Sequence, residues 1–248
     1  MKPKTQWQVV VESLEELGGI ATLGHLTHHV LARTDFQYAT QTPGANIRRI
    51  VQTRPNEIYK IRPGLYALTS HQSKLRAQGL EAEEYPSSAP NVAEHSHGYY
   101  QGLLTELGNL RTYQTFVPQQ DKNRTYLHTP LKNLRTLDAI PSFSYPNLVK
   151  RAQTVDVIWF NQRQMPASFF EVEHTTDIQN SLLKFQDLQD FAARMVIVAH
   201  KSRRAQFDGI LKYTGFQSLQ KRVEFVSYEE VAFEHTKAWT IKTKKYAL

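Results

Sequence analysis

Apolar residues at the start of the chain repeat with the period of an amphipathic helix. The residues that share one face of this predicted first helix are Val9, Val10, Leu14 and Leu17. The two glycines that follow Leu17 are a strong stop signal. A second short helix is predicted over residues 22–31. The chain therefore begins with two short helices.

A third helix and a hairpin are predicted next. Thr42 supplies an N-cap and Pro43 the first helical position for a helix over residues 45–53. The segment EIYKIRPGLYALTS then contains two short β-rich runs around Pro63 and Gly64, a pattern typical of a hairpin. Three helices followed by a hairpin is the order of elements in a winged helix.

This first segment resembles the winged helix-turn-helix modules that are attached to restriction enzymes and chromatin factors. The resemblance covers about residues 5–70 and is carried by TPGANIRRIV followed by GLYAL. It implies a DNA-binding domain, which we place at residues 1–72.

The expected DNA contacts lie on the third helix and on the hairpin. The candidate residues are Arg48, Arg49 and Gln52 on the helix and Lys60 and Arg62 on the hairpin. Arginine and glutamine can read base edges in the major groove, whereas basic residues of a wing contact phosphates. The alternative is a winged helix that contacts proteins, with these residues on an ordinary solvated face.

The hydrophobic pattern changes after residue 72. Residues 73–95 are polar and end in a Pro/Ser-rich stretch, which predicts a linker. We predict that residues 96–248 form a second domain.

The second domain alternates between helical and strand patterns. The runs HGYYQGLLTELGNL, RTYQTFVP, TVDVIWF and ASFFEVEHT predict a helix, closed by Gly108, and three strands. Asp177 can cap a helix over residues 178–194, and MVIVAH adds a strand. The order α-β-β-β-α-β predicts a compact α/β (α+β) core with a mixed sheet. A shorter helix near residues 202–213 and the strand VEFVSY extend it.

Composition and charge are those of a globular protein that favours polyanionic partners. The chain has 248 residues, of which 40% are hydrophobic and 21% charged. No apolar run approaches the roughly 20 residues that span a bilayer. The absence of cysteine excludes disulfides and thiolate zinc sites and fits a cytoplasmic location. The net charge of +7 favours a partner such as nucleic acid.

The run FFEVEHTT places two acids on one face of a predicted strand. Glu171 and Glu173 are two residues apart, so their side chains point to the same side, beside aromatic residues. Like charges at close range disfavour joint ionisation unless a cation lies between them. Asp156 in TVDVIWF would join them across a strand pair, and three carboxylates are suitable ligands for Mg²⁺.

The arrangement Asp156…Glu171-Val172-Glu173 resembles the PD-(D/E)xK nuclease superfamily, which includes many restriction endonucleases. The resemblance covers about residues 96–200 and extends to the run LLKFQDL. It implies that Asp156 and Glu171 bind Mg²⁺, or Mn²⁺ in its place, and that the residue two positions after Glu171 helps to activate the attacking water. The chain departs from the family pattern there, because Glu173 stands where a lysine is usual.

Two further residues are candidates for this site. On the helix predicted over residues 178–194, Lys184 lies at the edge of the apolar arc and can reach the scissile phosphate or the water; the alternative is a lysine that snorkels from the rim of the core. The resemblance implies that Glu106, on the first core helix, joins the metal shell; the alternative is a solvated helix residue. His97 and Gln101 lie about two turns and one turn earlier and are expected near the DNA or the site.

Together these patterns predict an Mg²⁺-dependent DNA endonuclease in which a winged helix is joined to a nuclease-like domain. The expected partner is double-stranded DNA, and double-strand cleavage favours a homodimer because one site cuts one strand. The alternative from a different class is a non-catalytic DNA-binding regulator whose nuclease domain has decayed at the lysine position. A third interpretation is cleavage of RNA or of modified DNA.

Overall fold

The chain forms two units in a computed structural model that describes residues 4–38, 40, 42–80, 90–174 and 177–246, with residues 90–95 and 244–246 described as backbone alone. One unit comprises Met1–Val92 and Ala232–Leu248, and the other comprises Ala93–Val231. The sequence pattern predicts that Ala232–Leu248 belong to the second domain, whereas their contacts group them with the first unit. Residues 81–89, the middle of the predicted linker, lie outside the described residues.

The N-terminal unit contains the predicted helices and hairpin. Its elements are α1 (Gln6–Glu16), β1 (Ile20–Thr22), α2 (Leu23–Ala32), α3 (Pro43–Thr53), β2 (Ile58–Arg62), β3 (Leu65–Leu68) and α4 (Gln72–Ala77). The strands form an antiparallel sheet in the order β1-β3-β2. The sequence pattern does not predict β1, because a three-residue strand is too short to show alternation.

Local capping and apolar faces explain why this unit folds as it does. The Thr5 hydroxyl accepts a hydrogen bond from the backbone N–H of Gln8, and the Gln8 side chain accepts one from the backbone N–H of Thr5, which forms a capping box for α1. The apolar faces of the helices are buried against each other and the hairpin, as Val10 of α1 and Ile47 of α3 illustrate.

The second unit is built around a five-stranded sheet. The elements from its first helix onward are α5 (Pro90–Leu110), β4 (Gln114–Phe116), β5 (Thr125–Tyr126), β6 (Thr129–Pro130), α6 (Pro146–Ala152), β7 (Val157–Phe160), β8 (Pro166–Glu173), α7 (Ile178–Asp187), β9 (Arg194–Ala199), α8 (Arg204–Ile210), β10 (Val223–Ser227) and α9 (Tyr228–Tyr246). The strand order is β10-β9-β8-β7-β4. Strands β4, β7 and β8 pair antiparallel, and β8, β9 and β10 pair parallel. This mixed sheet confirms the predicted mixed α/β class.

Helix α7 begins as predicted but is shorter than predicted. The Asp177 carboxylate accepts a hydrogen bond from the backbone N–H of Gln179 and caps the helix, which confirms the predicted start. The helix ends at Asp187 rather than near Arg194. The reason is the parallel pairing of β9 with β8, which starts at Arg194 and leaves the residues before it to make the turn.

Helix α9 starts in the second unit and continues into the N-terminal unit. Within the N-terminal unit, the Trp239 ring lies 4.8 Å from the ring of His25 and 4.9 Å from that of His28. The close approach depends on Gly24, since a Cβ there would come within 2.8 Å of Trp239. The sequence pattern does not predict α9, because its apolar residues do not gather on one face.

Within the described part of the chain, no helix is both long and apolar enough to cross a bilayer.

Helix α5 lies close to β5 because a glycine faces that strand. A Cβ on Gly102 would lie 2.2 Å from Cγ of Tyr126, far inside van der Waals contact. Tyr126 is buried, and its hydroxyl donates a hydrogen bond of 2.9 Å to Glu106. A side chain at position 102 would therefore force the helix away from Tyr126.

We expect Gly102→Ala to lower the free energy of unfolding by about 1–3 kcal/mol, because the added methyl group overpacks a filled core. Gly209→Ala in α8 is the matched control: nothing lies within 4 Å of a Cβ there, and alanine favours a helix by about 0.5–1 kcal/mol over glycine. Urea unfolding followed by circular dichroism measures both. Equal stability of the two variants would contradict the packing described above.

Candidate active site

The pairing of β7 with β8 brings two of the predicted acids together. Val157 pairs with Phe170 in this antiparallel ladder, so the next position places Asp156 opposite Glu171 on the same face of the sheet. Oδ2 of Asp156 accepts a hydrogen bond of 2.7 Å from the backbone N–H of Val172. Asp156 is 8% and Glu171 2% exposed. Both carboxyl groups are therefore held at the buried end of one hairpin.

Lys184 extends from α7 to the carboxyl group of Glu171. Its Nζ lies 3.0 Å from Oε1 and 2.8 Å from Oε2 of Glu171, and it also donates to the backbone carbonyl of Thr154 at 2.9 Å. Of the two interpretations that the sequence leaves open, the structure places this lysine beside the acids. Its role in a reaction stays a prediction.

Glu173 and Glu171 share a hydroxyl group. Oγ of Ser181 lies 2.9 Å from Oε2 of Glu171 and also forms a short hydrogen bond with Oε1 of Glu173. A serine hydroxyl donates one hydrogen, so two ionised carboxylates cannot both be satisfied by it. Oε2 of Glu173 lies 3.8 Å from Nη1 of Arg203. Glu173 therefore lies between the hydroxyl that it shares with Glu171 and the guanidinium group of Arg203.

Sequence reasoning missed Ser181 and Arg203. Ser181 precedes Lys184 by three residues, so the two are neighbours on the helix surface. This spacing is a signal that could have identified the serine. Arg203 lies in a short helical turn after β9, and its place near Glu173 follows from the tertiary fold alone.

Burial and neighbouring charges push the pKa values of the two paired acids in opposite directions. Burial, followed by the charge of Asp156, raises the pKa of Glu171 well above its ordinary value, against the opposing effects of Lys184 and Ser181. Burial also raises the pKa of Asp156, but His97, Lys184 and the N–H of Val172 together outweigh it, and the net pKa is lowered. Asp156 is therefore the acid that ionises more readily.

The charge of Lys184 is stabilised by the same acids. Burial lowers the pKa of this lysine, but the carboxyl groups of Glu171, Asp156 and Glu173 outweigh burial, and the net pKa is raised. Lys184 therefore remains a cation next to the acids.

Helix α5 also contacts Asp156. Nε2 of His97 lies 3.5 Å from Oδ1 of Asp156. The amide nitrogen of Gln101 donates to the backbone carbonyl of Asp156 at 3.2 Å and to Oδ2 of Asp121 at 3.0 Å. The approach of His97 and Gln101 agrees with their spacing on the helix. Asp121 gives no sequence signal, because it lies in an irregular polar segment.

Glu106, on the same helix, hydrogen-bonds with a tyrosine of β5. Its carboxylate accepts a hydrogen bond from the hydroxyl of Tyr126 at 2.9 Å, and among the described residues it is absent from the group formed by His97, Asp121 and Asp156. The reason is rotation along α5, since five positions separate Glu106 from Gln101 and turn it by about 140° around the helix. The predicted place of Glu106 in a metal shell with Asp156 and Glu171 stays a prediction.

Most of the predicted DNA contacts lie on the surface of the N-terminal unit. Arg49 and Gln52 of α3 and Lys60 of β2 are exposed. Arg48 is partly buried, with its guanidinium 6.0 Å from the ring centroid of Phe233. Arg62 is 1% exposed, so the prediction that it contacts a phosphate is corrected. A bulge between Lys60 and Arg62 breaks the strand alternation and turns Arg62 inward.

Comparison with known proteins places the second unit in a family. Residues 80–243 match the profile described as the type II restriction enzyme NmeDI C-terminal domain. This range includes the acids, Lys184 and their neighbours in the second unit, but not the predicted DNA contacts of α3 and β2. The type II restriction enzyme NmeDI of Neisseria meningitidis serogroup C is 25% identical over 135 residues, which cover 48% of this chain and 38% of that protein. The chain thus spans well under half of that relative's length. No solved structure matches the chain.

We expect Glu171→Gln to raise the stability of the protein more at about pH 8 than at about pH 5. The pKa of Glu171 in the folded state lies above its ordinary value of 4.5. The stability that Glu171 contributes is therefore fully present below pH 4.5, and it is lost as the pH rises through the raised pKa. Glutamine does not titrate, so the variant escapes this loss. Urea unfolding at the two pH values measures the difference.

Glu224→Gln is the control, because the pKa of Glu224 is shifted in the opposite direction from that of Glu171. The hydrogen bond from Arg194 lowers the pKa of Glu224, so this acid stabilises the fold above its ordinary pKa and loses that effect in acid. Both partners are half exposed, so the loss in Glu224→Gln should be small, at about 1 kcal/mol or less. If the free energies of unfolding of Glu171→Gln and wild type differ by the same amount at both pH values, the raised pKa of Glu171 is contradicted.

Proposed function

The chain belongs to the family of the type II restriction enzyme NmeDI C-terminal domain, and on this premise we propose that it is a metal-dependent DNA endonuclease with a PD-(D/E)xK site. The observation that carries the proposal is the buried pair of Asp156 and Glu171, opposite each other on β7 and β8, with the ammonium group of Lys184 on Glu171. The substrate of the proposed reaction is a phosphodiester bond of double-stranded DNA.

The acids fit a divalent cation. Asp156, Glu171 and Glu173 are all buried, and Glu171 and Glu173 compete for the single hydroxyl hydrogen of Ser181. Carboxylate oxygens are the ligands that Mg²⁺ prefers, and Mn²⁺ accepts the same set. Asp156 and Glu171 would hold the ion, which when bound supplies polarisation of a phosphodiester oxygen and a lower pKa for a coordinated water.

The side chains of the protein supply the remaining chemistry. Lys184 remains protonated beside the acids and can donate a hydrogen bond to an oxygen of the scissile phosphate, which favours the charge that develops during attack. Glu173 stands two residues after Glu171 and can orient the attacking water and accept its proton. Ser181 fixes both glutamates from α7.

The position of Lys184 favours an active enzyme over a decayed one. The usual lysine of the motif is replaced by Glu173, but an ammonium group is present within 2.8 Å of Glu171 through a different element. The alternative of a non-catalytic regulator requires that this cation is lost from the site. The contact between Lys184 and Glu171 supports the view that the site keeps a cation.

We expect Asp156→Asn and Glu171→Gln to abolish cleavage of plasmid DNA in Mg²⁺ or Mn²⁺, since each removes a proposed ligand. Lys184→Met should lower the rate by about 10²–10³-fold, the range for removal of one hydrogen-bond donor that stabilises transition-state charge. Asp138→Asn and Lys212→Met change exposed residues of the same unit and should cut normally. Cleavage is scored on gels with methylated and unmethylated plasmid, with the metal or with a chelator.

Two results would overturn this proposal. If the Glu171→Gln protein still cuts DNA with Mg²⁺, Glu171 is not a required metal ligand. A wild-type protein that binds DNA but cuts no plasmid in Mg²⁺ or Mn²⁺ would favour the regulator.

We further propose that the N-terminal unit is a winged helix that binds the DNA. The exposed Arg49, Gln52 and Lys60 and the partly buried Arg48 support this role. In it α3 would enter the major groove, where arginine and glutamine contact base edges, and Lys60 would contact a phosphate.

We expect the Arg48→Ala/Arg49→Ala double variant to bind DNA more weakly and with a shallower salt dependence. An arginine in the groove also neutralises charge of the neighbouring phosphates. Each neutralised phosphate that is lost reduces the slope of log K against log salt by about 0.9, so the loss of two reduces it by roughly 2. Lys74→Ala/Arg76→Ala, which removes two exposed charges from α4, is the control and should keep the wild-type slope. Fluorescence anisotropy over a range of salt concentrations measures both. An unchanged slope in the Arg48/Arg49 variant would contradict the assignment.

A further inference from the structure

We propose that His97, Asp121 and Asp156, together with Gln101, form a second cation site, which selects a divalent transition-metal ion. The ligand atoms of His97, Asp121 and Asp156 lie within 4.8 Å of one another. They come from helix α5, from the irregular segment after β4 and from the residue before β7. The residues are not adjacent in sequence, so the fold itself assembles the group.

The group is buried and polar. Asp121 is 4% and Asp156 8% exposed, and the side chain of His97 is 18% exposed. Oδ1 of Asp121 accepts a hydrogen bond from Nε of Arg124 at 2.8 Å, and Oδ1 of Asp156 faces His97 at 3.5 Å. A carboxylate has about four lone-pair sites, so both acids keep capacity for a ligand.

Gln101 gives an independent sign that a ligand belongs here. Its side chain is fully buried, and its amide nitrogen already donates to Asp121 and to the carbonyl of Asp156. The other end of the same amide, Oε1, has no hydrogen-bond donor among the described residues. A buried oxygen without a donor is costly, and a cation held by Asp121 and Asp156 would satisfy it.

The donor set selects the kind of ion. Mg²⁺ takes oxygen ligands and keeps several waters, whereas an imidazole nitrogen suits transition-metal ions such as Zn²⁺, Fe²⁺ and Ni²⁺. Mn²⁺, which prefers carboxylates but also accepts a nitrogen ligand more readily than Mg²⁺ does, is the paramagnetic probe. One imidazole with two carboxylates and an amide oxygen therefore favours a transition-metal ion over Mg²⁺.

This site is separate from the one proposed for Asp156 and Glu171, although Asp156 belongs to both. Oδ1 of Asp156 faces His97, and Oδ2 faces the backbone of Val172 beside Glu171. Asp156 would thus connect two cations, as carboxylates do in two-metal sites. The inference does not require that the chain cuts DNA.

The test is Mn²⁺ binding to the full chain, followed by electron paramagnetic resonance and by electron spin echo modulation from imidazole nitrogen. Wild type and Glu171→Gln should both bind Mn²⁺ with a nitrogen signal that an equal concentration of Mg²⁺ does not remove. His97→Ala should lose the nitrogen signal. His97→Ala and Asp121→Asn should each weaken binding by at least about tenfold, since even indirect partners of a metal cost 10–100-fold when removed. Asp138→Asn, on the exposed part of the same segment, should bind as wild type.

Folding of each variant is checked by thermal unfolding without metal. Added Mn²⁺ should raise the Tm of wild type, and it should raise the Tm of the Glu171→Gln/Asp121→Asn double variant less than that of Glu171→Gln alone. Absence of a nitrogen signal in wild type, or unchanged affinity in both His97→Ala and Asp121→Asn, would overturn the site. So would loss of all Mn²⁺ binding in Glu171→Gln, because the ion would then lie at Glu171 alone. If the protein binds Mn²⁺ as expected but does not cleave DNA, the result counts against the proposed endonuclease activity. The proposal of the second cation site would not be affected.

Discussion

The candidate site depends on the burial of two carboxyl groups at one end of the β7–β8 hairpin. Asp156 and Glu171 stand opposite each other there, with 8% and 2% of their surface exposed. Burial of a carboxylate is costly unless hydrogen bonds and opposite charges accompany it. The strands supply one backbone N–H, that of Val172. The other partners come from helices, so the pair tolerates burial only while those helices lie on the sheet.

Two helices meet this requirement. Helix α7 places Lys184 and Ser181 on Glu171, and helix α5 places His97 beside Asp156. The environments of the two acids differ because His97 lies beside Asp156 alone, whereas Lys184 acts on both. Burial and the charge of Asp156 raise the pKa of Glu171, while His97, Lys184 and the N–H of Val172 outweigh burial and lower the pKa of Asp156. Acids with pKa values pushed apart are typical of catalytic sites.

The features that sequence alone could predict are those that follow from a local period. Strand alternation was sufficient to pair Asp156 with Glu171, and the helical period was sufficient to direct Lys184 toward the sheet. Arg62 was misplaced because one bulge reverses the side to which a strand residue points. Asp121 could not be found at all, because the path of an irregular segment is set by tertiary contacts, such as its hydrogen bond with Gln101, rather than by a repeating pattern.

The acid at position 173 and the lysine of α7 belong to one arrangement. A lysine at position 173 would stand on the strand face of Glu171, where Lys184 and Arg203 already lie near the acids. Like charges in a buried place repel, so a strand lysine and a helix lysine are alternatives rather than additions. Because the ammonium group arrives from α7, position 173 can hold a third carboxylate, which increases the negative charge that a bound cation must balance. In our proposal the lysine of the motif is therefore supplied by α7 as Lys184 rather than lost. The carboxylate of Glu173 then makes the binding of a metal cation more favourable.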